Sequence, residues 1–354
     1  MYDVAVLIGR FQPVHNGHLA LLREALARAR RVVVIVGSAF QARTPKNPFT
    51  WQERADLLRQ SVGAGDAARL AICPVRDYYD QTRWADAVQA IVTRQTQPGS
   101  RTALVGHFKD ASSSYLSDFP GWTLIGLPRH GAMDSTALRD AWFGATTPGM
   151  ASELARFANE TPAATLELLA RYAGTPTYTS LKAEWQALRD YRAAWASAPY
   201  PPVFVTVDAL VRCQERVLLV QRGHAPGEGL WALPGGFLEP HDTLWQSCLR
   251  ELAEETQWPI PGPAMRAAFK DAAVFDHPER SQRGRTITHV HYFDLGLAPL
   301  PQVRGGDDAA QAQWVAIDQL AAMEDAFFED HFHVLDHFLG LLGSPDPARP
   351  QAGR

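Results

Sequence analysis

The sequence predicts an α/β protein: a doubly wound parallel sheet in the first half, then an α+β unit. Three observations lead there. Short β-branched runs alternate with helical patterns up to about residue 143, tandem prolines in "SAPYPP" (197–202) interrupt the chain, and strand-like runs around one strong helix dominate beyond them. The 354 residues exceed what one compact core usually holds. The expected division is a first domain over 1–180, a helix and Pro-rich linker over 181–202, a second domain over 203–342 and a disordered tail, "GSPDPARPQAGR", over 343–354.

In chain order, "VAVLI" (4–8) reads as a buried strand, residues 17–29 as a helix, and "RVVVIV" (31–36) as the next strand, which together make a βαβ unit. Leu19, Leu22, Leu26 and Ala29 recur at helical spacing and form that helix's apolar stripe. "TWQERADLLRQSV" begins a second helix, because Thr50 and Glu53 have capping-box spacing. Strands "LAICPV" (70–75), "TALVG" (102–106) and "WTLIGL" (122–127) follow, with a helix over about 83–94 between the first two. Residues 150–196 are helical and polar-faced, with breaks expected at "TPAA" and "GTPTYTS". "VFVTVDALV", "RVLLVQR" (216–222), "ITHVHYFDLGL" (287–297) and "AQWVAI" (312–317) are the strands of the second half.

Composition narrows the function classes. Net charge is −4, with no run of like charges, so a broad nucleic-acid or anionic-membrane surface is not expected. Cys73, Cys213 and Cys248 are far apart and outside any CxxC pair, which argues against a disulfide framework or zinc site and for thiols in a reducing compartment. The start "MYDVAVLIGR" lacks the charge and apolar pattern of a secretion signal, and no apolar stretch approaches the roughly 18 residues of a membrane span. A cytoplasmic protein is expected, with small molecules as partners and a homo-oligomer left open.

The first candidate site follows the first strand. In "GRFQPVHNGHL" (9–19), Gly9 and Gly17 let backbone approach a ligand, while His15 in the turn and His18 in the first helical turn offer donors at a helix N-terminus. Such a terminus beyond the carboxyl end of a parallel strand suits phosphate. Taken alone, the same residues read better as a capped turn with a half-buried histidine. "MDSTALRD" (133–140) adds Ser135, Thr136 and Arg139 at another helix start, and the two termini together suit a polyphosphate. Neither GxGxxG nor a P-loop motif is present.

"GRFQPVHNGH", "KNPFTWQER" and "DSTALR", in that order, resemble the nicotinamide mononucleotide (NMN) adenylyltransferases of the HxGH nucleotidyltransferase superfamily, over about residues 1–145. The resemblance implies a Rossmann-like fold and the reaction of ATP with NMN to give NAD and pyrophosphate. It implies that His15 and His18 bind the α-phosphate region, that Ser135, Thr136 and Arg139 hold the β,γ-phosphates, and that Lys46 is a further phosphate contact. It further implies that Gly9, Arg10, Phe11, Gln12, Gly17, Gly106 and Asp110 line the nucleotide pocket. Trp84 matches a tryptophan that stacks on nicotinamide in similar enzymes, and reads equally as a core aromatic on its helix.

The second candidate site is "GFLEPHDTLWQSCLRELAEETQW" (236–258). Helical spacing puts Glu251, Glu254 and Glu255 on one face, where like charges repel unless a cation joins them; oxygen ligands so placed suit Mg²⁺ or Mn²⁺. A solvated acidic face is the bland alternative. The run resembles the Nudix box, GX5EX7REUXEEXGU, from Gly236 through Arg250, Glu251, Glu254 and Glu255. That resemblance implies a metal-dependent hydrolase with Arg250, Glu254 and Glu255 in catalysis and Glu251, Glu254 and Glu255 as metal ligands. Two positions depart from it: Asp242 replaces the first glutamate, and Gln257 the glycine after the helix.

The whole chain resembles bifunctional proteins that join an NMN adenylyltransferase to an ADP-ribose pyrophosphatase, implying cleavage of ADP-ribose to AMP and ribose 5-phosphate. Arg280, Arg283 and Arg285 read either as contacts to that substrate or as a solvated loop. The alternatives carried forward are other acceptor or nucleoside-diphosphate substrates, and a second domain that binds ADP-ribose without cleaving it.

Overall fold

A computed structural model describes residues 1–107, 118–128 and 134–343. Asp110 and the tail beyond residue 343 lie outside the described residues. The chain divides into two compact units, Met1–Trp185 and a second from Gln186 onward.

In the first unit, five parallel strands, β1 (Tyr2–Gly9), β2 (Ala29–Val36), β3 (Leu70–Pro74), β4 (Thr102–Gly106) and β5 (Thr123–Gly126), lie in the order β3-β2-β1-β4-β5. The order reverses between β1 and β4, the place where open α/β sheets form a ligand crevice. The helices are α1 (Asn16–Arg28), α2 (Trp51–Gln60), the short α3 (Ala64–Ala67), α4 (Gln81–Gln95), α5 (Ser135–Gly144), α6 (Met150–Ala155), α7 (Ala163–Tyr172) and α8 (Pro176–Ala194). Leu19, Leu22 and Leu26 of α1 are buried against β1 and β2, as their spacing predicts. Ala29 instead opens β2, so helix and strand meet without a loop.

The break expected at "GTPTYTS" falls at residues 173–175, between α7 and α8, and Pro176 begins α8. Proline is well placed at a first helical position, where its missing N–H would have no intrahelical partner. α8 contributes residues to both compact units.

In the second unit, β6 (Val203–Cys213), β7 (Arg216–Arg222), β8 (Trp231–Ala232), β9 (Gly235–Phe237), β10 (Phe269–Phe275), β11 (Arg285–Asp294) and β12 (Ala309–Ala316) form one mixed sheet. Its path is β10-β11-β6-β7-β12, with β8 on β7 and β9 on β6; β6 and β11 are parallel. Helix α9 (Leu244–Thr256) packs Cys248 and Leu252 with Val207, Ala209 and Val211 of β6. Leu210 belongs to a separate cluster with Phe332 and Leu335 of a C-terminal helix, His331–Leu339. Alternation along β6 thus serves two cores. Cys213 and Cys248 are buried, Cys73 is partly buried, and all three thiols are free.

Candidate active sites

His15 is the N-cap of α1. Its Nδ1 accepts the Gly17 amide at 3.1 Å, and His18 Nδ1 accepts the His15 amide at 3.3 Å, so two imidazoles form the capping box usually made by Ser or Thr with Glu. A neutral imidazole that accepts at Nδ1 carries its proton on Nε2. The helix start therefore sets both tautomers. The rings lie 3.8 Å apart, and the buried Phe11 ring meets His18 edge-on at 4.9 Å.

The loop ahead of His15 is pinned carbonyl by carbonyl. Arg139 Nη1 donates to Gln12 O at 2.5 Å, Ser135 Oγ to Pro13 O at 3.1 Å, and Thr165 Oγ1 to Val14 O at 3.0 Å. The buried Gln12 amide pairs with both backbone groups of Phe49, at 2.8 and 3.1 Å. Ser135 and Arg139, expected at phosphates, thus also hold the histidine loop, while Gln12 spends its polar atoms inward. Arg139 is held down to about 10 by burial and then by the nearby Arg10 cation, and remains charged near neutral pH. Thr136 is exposed near the start of α5, where the Asp134 carboxylate accepts the Thr136 and Ala137 amides. Lys46 lies in the tight turn that closes between Thr44 and Asn47. Gly106 ends β4.

Trp84 lies on α4, half-buried against the sheet, with its ring 6.0 Å from Phe119, which stacks on Trp122 at 4.6 Å. Sequence reasoning missed Arg54. Only 1% exposed, it donates to Arg10 O (2.6 Å), Gly37 O (2.7 Å), Ser38 O (3.1 Å) and Thr50 O (3.1 Å), tying the loops after β1 and β2 to the start of α2. Burial lowers its pKa to about 10. The signal was a charged residue between the buried Ala55 and the cap of α2.

In the second unit Glu255 and Glu251 turn toward the two glycines of β9. Gly235 N–H donates to Glu255 Oε2 at 2.9 Å. A Cβ on Gly235 would lie 2.3 Å from Val207 O, and one on Gly236 would lie 2.5 Å from the Glu251 carboxylate, so neither position admits a side chain without displacement. Burial pushes the Glu255 carboxyl up to about 8, against the Gly235 amide, with Glu251 adding repulsion; Glu251 is raised by burial too.

Glu254, expected beside Glu251 and Glu255, lies on the same helix and pairs with Arg250. It is bound by Arg250 Nη1 at 2.8 Å and stays largely exposed, and among the described residues no three His, Cys, Asp or Glu side chains are placed to hold a metal. Arg250 also reaches Asp242 at 3.3 Å and Glu251 at 2.9 Å, the latter an ion pair by distance rather than an aligned hydrogen bond. The shorter Asp242 therefore makes the bridge to Arg250 directly. A buried and a half-buried carboxylate, both with raised pKa values and both hard oxygen donors, suit a divalent cation that would relieve their repulsion.

The family described as NUDIX domain matches residues 202–338, and the one described as Cytidylyltransferase-like matches residues 6–97. A nicotinamide/nicotinic acid mononucleotide adenylyltransferase of Acinetobacter baylyi is 34% identical over 187 residues, covering 52% of this chain and 95% of that protein. An ADP-ribose pyrophosphatase of Methanocaldococcus jannaschii is 30% identical over 135 residues, covering 38% of this chain and 72% of the relative. A crystal structure of a bifunctional NMN adenylyltransferase/ADP ribose pyrophosphatase from Francisella tularensis superposes with a TM-score of 0.88 at 35% identity, covering 96% of this chain and 99% of that one. The chain belongs to this bifunctional adenylyltransferase/pyrophosphatase family. Another crystal structure of the Francisella protein, with AMP and a manganese ion, matches with a TM-score of 0.87 and 34% identity.

Within the bifunctional family's second unit, a cavity is lined by Asp208, Arg222, Glu255, Arg280, Arg283 and His331, among others. Arg280 is no solvated loop residue: it is 3% exposed and makes a two-pronged pair with Asp330, at 2.7 and 2.8 Å. Arg283 lies near the Glu329 carboxylate at 3.7 Å, and Arg285 lies near Asp276 at 3.8 Å. Sequence reasoning also missed Asp208 and His331. Burial pushes Asp208 up to about 6, with the Thr288 hydroxyl donating to its carboxylate, and pulls His331 down; His331 Nδ1 accepts the Leu233 amide at 3.0 Å. Asp208 is legible in retrospect as the lone charge in "VFVTVDALV".

Proposed function

We propose that the chain performs two reactions of NAD metabolism in a cytoplasmic setting. One transfers AMP from ATP to NMN, giving NAD and pyrophosphate; the other hydrolyses ADP-ribose to AMP and ribose 5-phosphate. The observation that carries this reading is a single chain holding both the histidine-capped helix beyond β1 and the carboxylates turned toward Gly235 and Gly236, alike over almost its whole length to a bifunctional protein.

In the first reaction the NMN phosphate oxygen attacks the α-phosphorus of ATP in line, forming one P–O bond as the bond to pyrophosphate breaks. No nucleophile of the protein is required, and catalysis rests on positioning and charge stabilisation. His15 and His18, with protons on Nε2, donate to the α-phosphoryl oxygens; Arg10, Lys46 and Arg139 supply positive charge for the pyrophosphate, together with the Ser135 and Thr136 hydroxyls. Gly9, Phe11, Gln12, Gly17 and Gly106 shape the pocket. Trp84 stacks on nicotinamide in this reading.

In the second reaction Glu251, Glu254 and Glu255 would hold Mg²⁺ or Mn²⁺, which supplies an activated water for attack on phosphorus. Arg250 holds Glu251 and Glu254 in place. Arg222 and Arg283 face the substrate's diphosphate.

The test is a two-substrate assay on the purified chain. NAD formation from ATP and NMN, and AMP release from ADP-ribose, are both expected with Mg²⁺ or Mn²⁺. His18→Ala is expected to lower adenylyl transfer more than tenfold with hydrolysis nearly intact; Glu255→Gln is expected to abolish hydrolysis alone. NMN used no better than other phosphomonoester acceptors would sink the first assignment. One observation favours a second reading, ADP-ribose binding without cleavage: Glu254 is engaged by Arg250 rather than grouped with its neighbours. Tight ADP-ribose binding with no turnover would decide for it.

A further inference from the structure

Along β6, Phe204, Thr206 and Asp208 alternate onto one face. Thr206 and Asp208 line the charged cavity, and Thr206 pairs across the ladder with Phe237 of β9, so the Phe237 side chain projects to that same side. Phe237 is 38% exposed, unusual for a phenylalanine beside a cavity of arginines and carboxylates. The Arg283 guanidinium lies over its ring at 5.2 Å, and Phe204 meets it at 5.9 Å. Phe204 in turn meets Trp195 at 5.3 Å and Tyr191 at 5.6 Å. Arg192 fixes the neighbouring loop by donating to Gln282 O from both Nε and Nη2. Tyr191, Arg192 and Trp195 precede the stretch that matches the NUDIX family, which starts at residue 202.

We propose that Phe237, backed by Arg283 and by the Phe204 and Trp195 rings, is a stacking platform for the purine base of the second unit's substrate. The segment 191–195 is thereby part of that substrate site. The proposal rests on the ADP-ribose reading above. An exposed ring on the cavity side, with a cation on it, offers a purine face contact and a partner for its π-system; the arginines deeper in the cavity suit the diphosphate of the same molecule. The exposed ring at one end and the Arg222 and Arg283 guanidinium groups lining the cavity match a ligand that is aromatic at one end and anionic in the middle.

The experiment compares hydrolysis of ADP-ribose and cytidine diphosphate ribose by the full chain, since the smaller pyrimidine stacks less. The wild type is expected to favour ADP-ribose at least tenfold in kcat/KM. Phe237→Ala is expected to cut that preference at least fivefold through the KM for ADP-ribose, Phe237→Tyr to keep it, and Trp195→Ala to shift it less in the same direction. Adenylyl transfer by the same preparations is expected within twofold of wild type, which checks folding. No base preference in the wild type, an unchanged preference in Phe237→Ala, or equal loss on both substrates would overturn the proposal; equal loss would mean that the ring only braces the Arg283 loop. If the wild type cleaves neither substrate, the hydrolase reading fails instead. Calorimetric binding of the same two ligands to the same variants then decides the platform by the same preference ratio.

Discussion

At the scale of single residues, the unusual groups are charges buried where neutral side chains would pack more cheaply. Glu255 has its folded pKa raised to about 8 from an ordinary 4.5. In the metal-free protein the folded state then binds more protons than the unfolded chain between those values, so stability falls as pH rises from 4.5 to 8 and the loss is complete above 8. Glu255→Gln is expected to melt higher than wild type at pH 8.5, the gap closing toward pH 4.5; added Mg²⁺ should raise the wild-type Tm more than the variant's. Thermal melts across pH, with and without the cation, check both signs. Arg54 is the opposite case: its charge is dispersed over four carbonyls. Arg54→Met leaves several buried acceptors unpaired and is expected to cost at least about 3 kcal/mol in denaturant unfolding.

At the scale of elements, much was legible because caps and periodicity are local. The Thr50/Glu53 box marks the start of α2 in sequence and in structure. The histidines of α1 fall in the turn and first helical turn as expected, although a capping box built of two imidazoles has no common sequence signal. What escaped notice was decided by distant partners. Arg280 reads either as a substrate contact or as solvated in "DHPERSQRGRTITH", because its partner, Asp330, is 50 residues away. A local case is Glu254, which pairs with Arg250 one turn earlier; helical spacing alone cannot rank that pairing against one with its neighbouring carboxylates. Gln257 ends α9 in the left-handed region at φ 50°, where a glycine usually stands. Its side-chain amide donates to Gly305 O at 3.0 Å and offsets part of the strain. Gln257→Gly is therefore expected to stabilise by less than about 1 kcal/mol, measured by chemical denaturation.

At the scale of the whole molecule, alternation of strand and helix was enough to place a parallel sheet before a strand-dominated α+β unit, because each pattern follows from which faces must be buried. The prolines of "SAPYPP" mark the start of β6 but not the start of the second compact unit, which begins inside α8 at Gln186. Tyr191, Arg192 and Trp195 belong to that unit through Phe204 and Gln282. A fragment beginning at Gln186 is accordingly expected to melt several degrees above one beginning at Val203. Calorimetry on the two fragments measures the difference. Among the described residues no helix is long and apolar enough to cross a membrane.

The imidazole pair at the start of α1 has a practical corollary. Because one set of atoms both begins a helix and sets the proton on Nε2, alanine at either position removes a cap contact together with a donor. Asparagine, a strong N-cap, can replace the first ring as acceptor through Oδ1, while its donor Nδ2 sits one bond nearer the backbone than the imidazole Nε2 it replaces. His15→Asn is thus expected to lose adenylyl transfer while keeping the wild-type Tm, checked by activity assay and thermal melt, which would make it an inactive form for trapping ATP beside its acceptor.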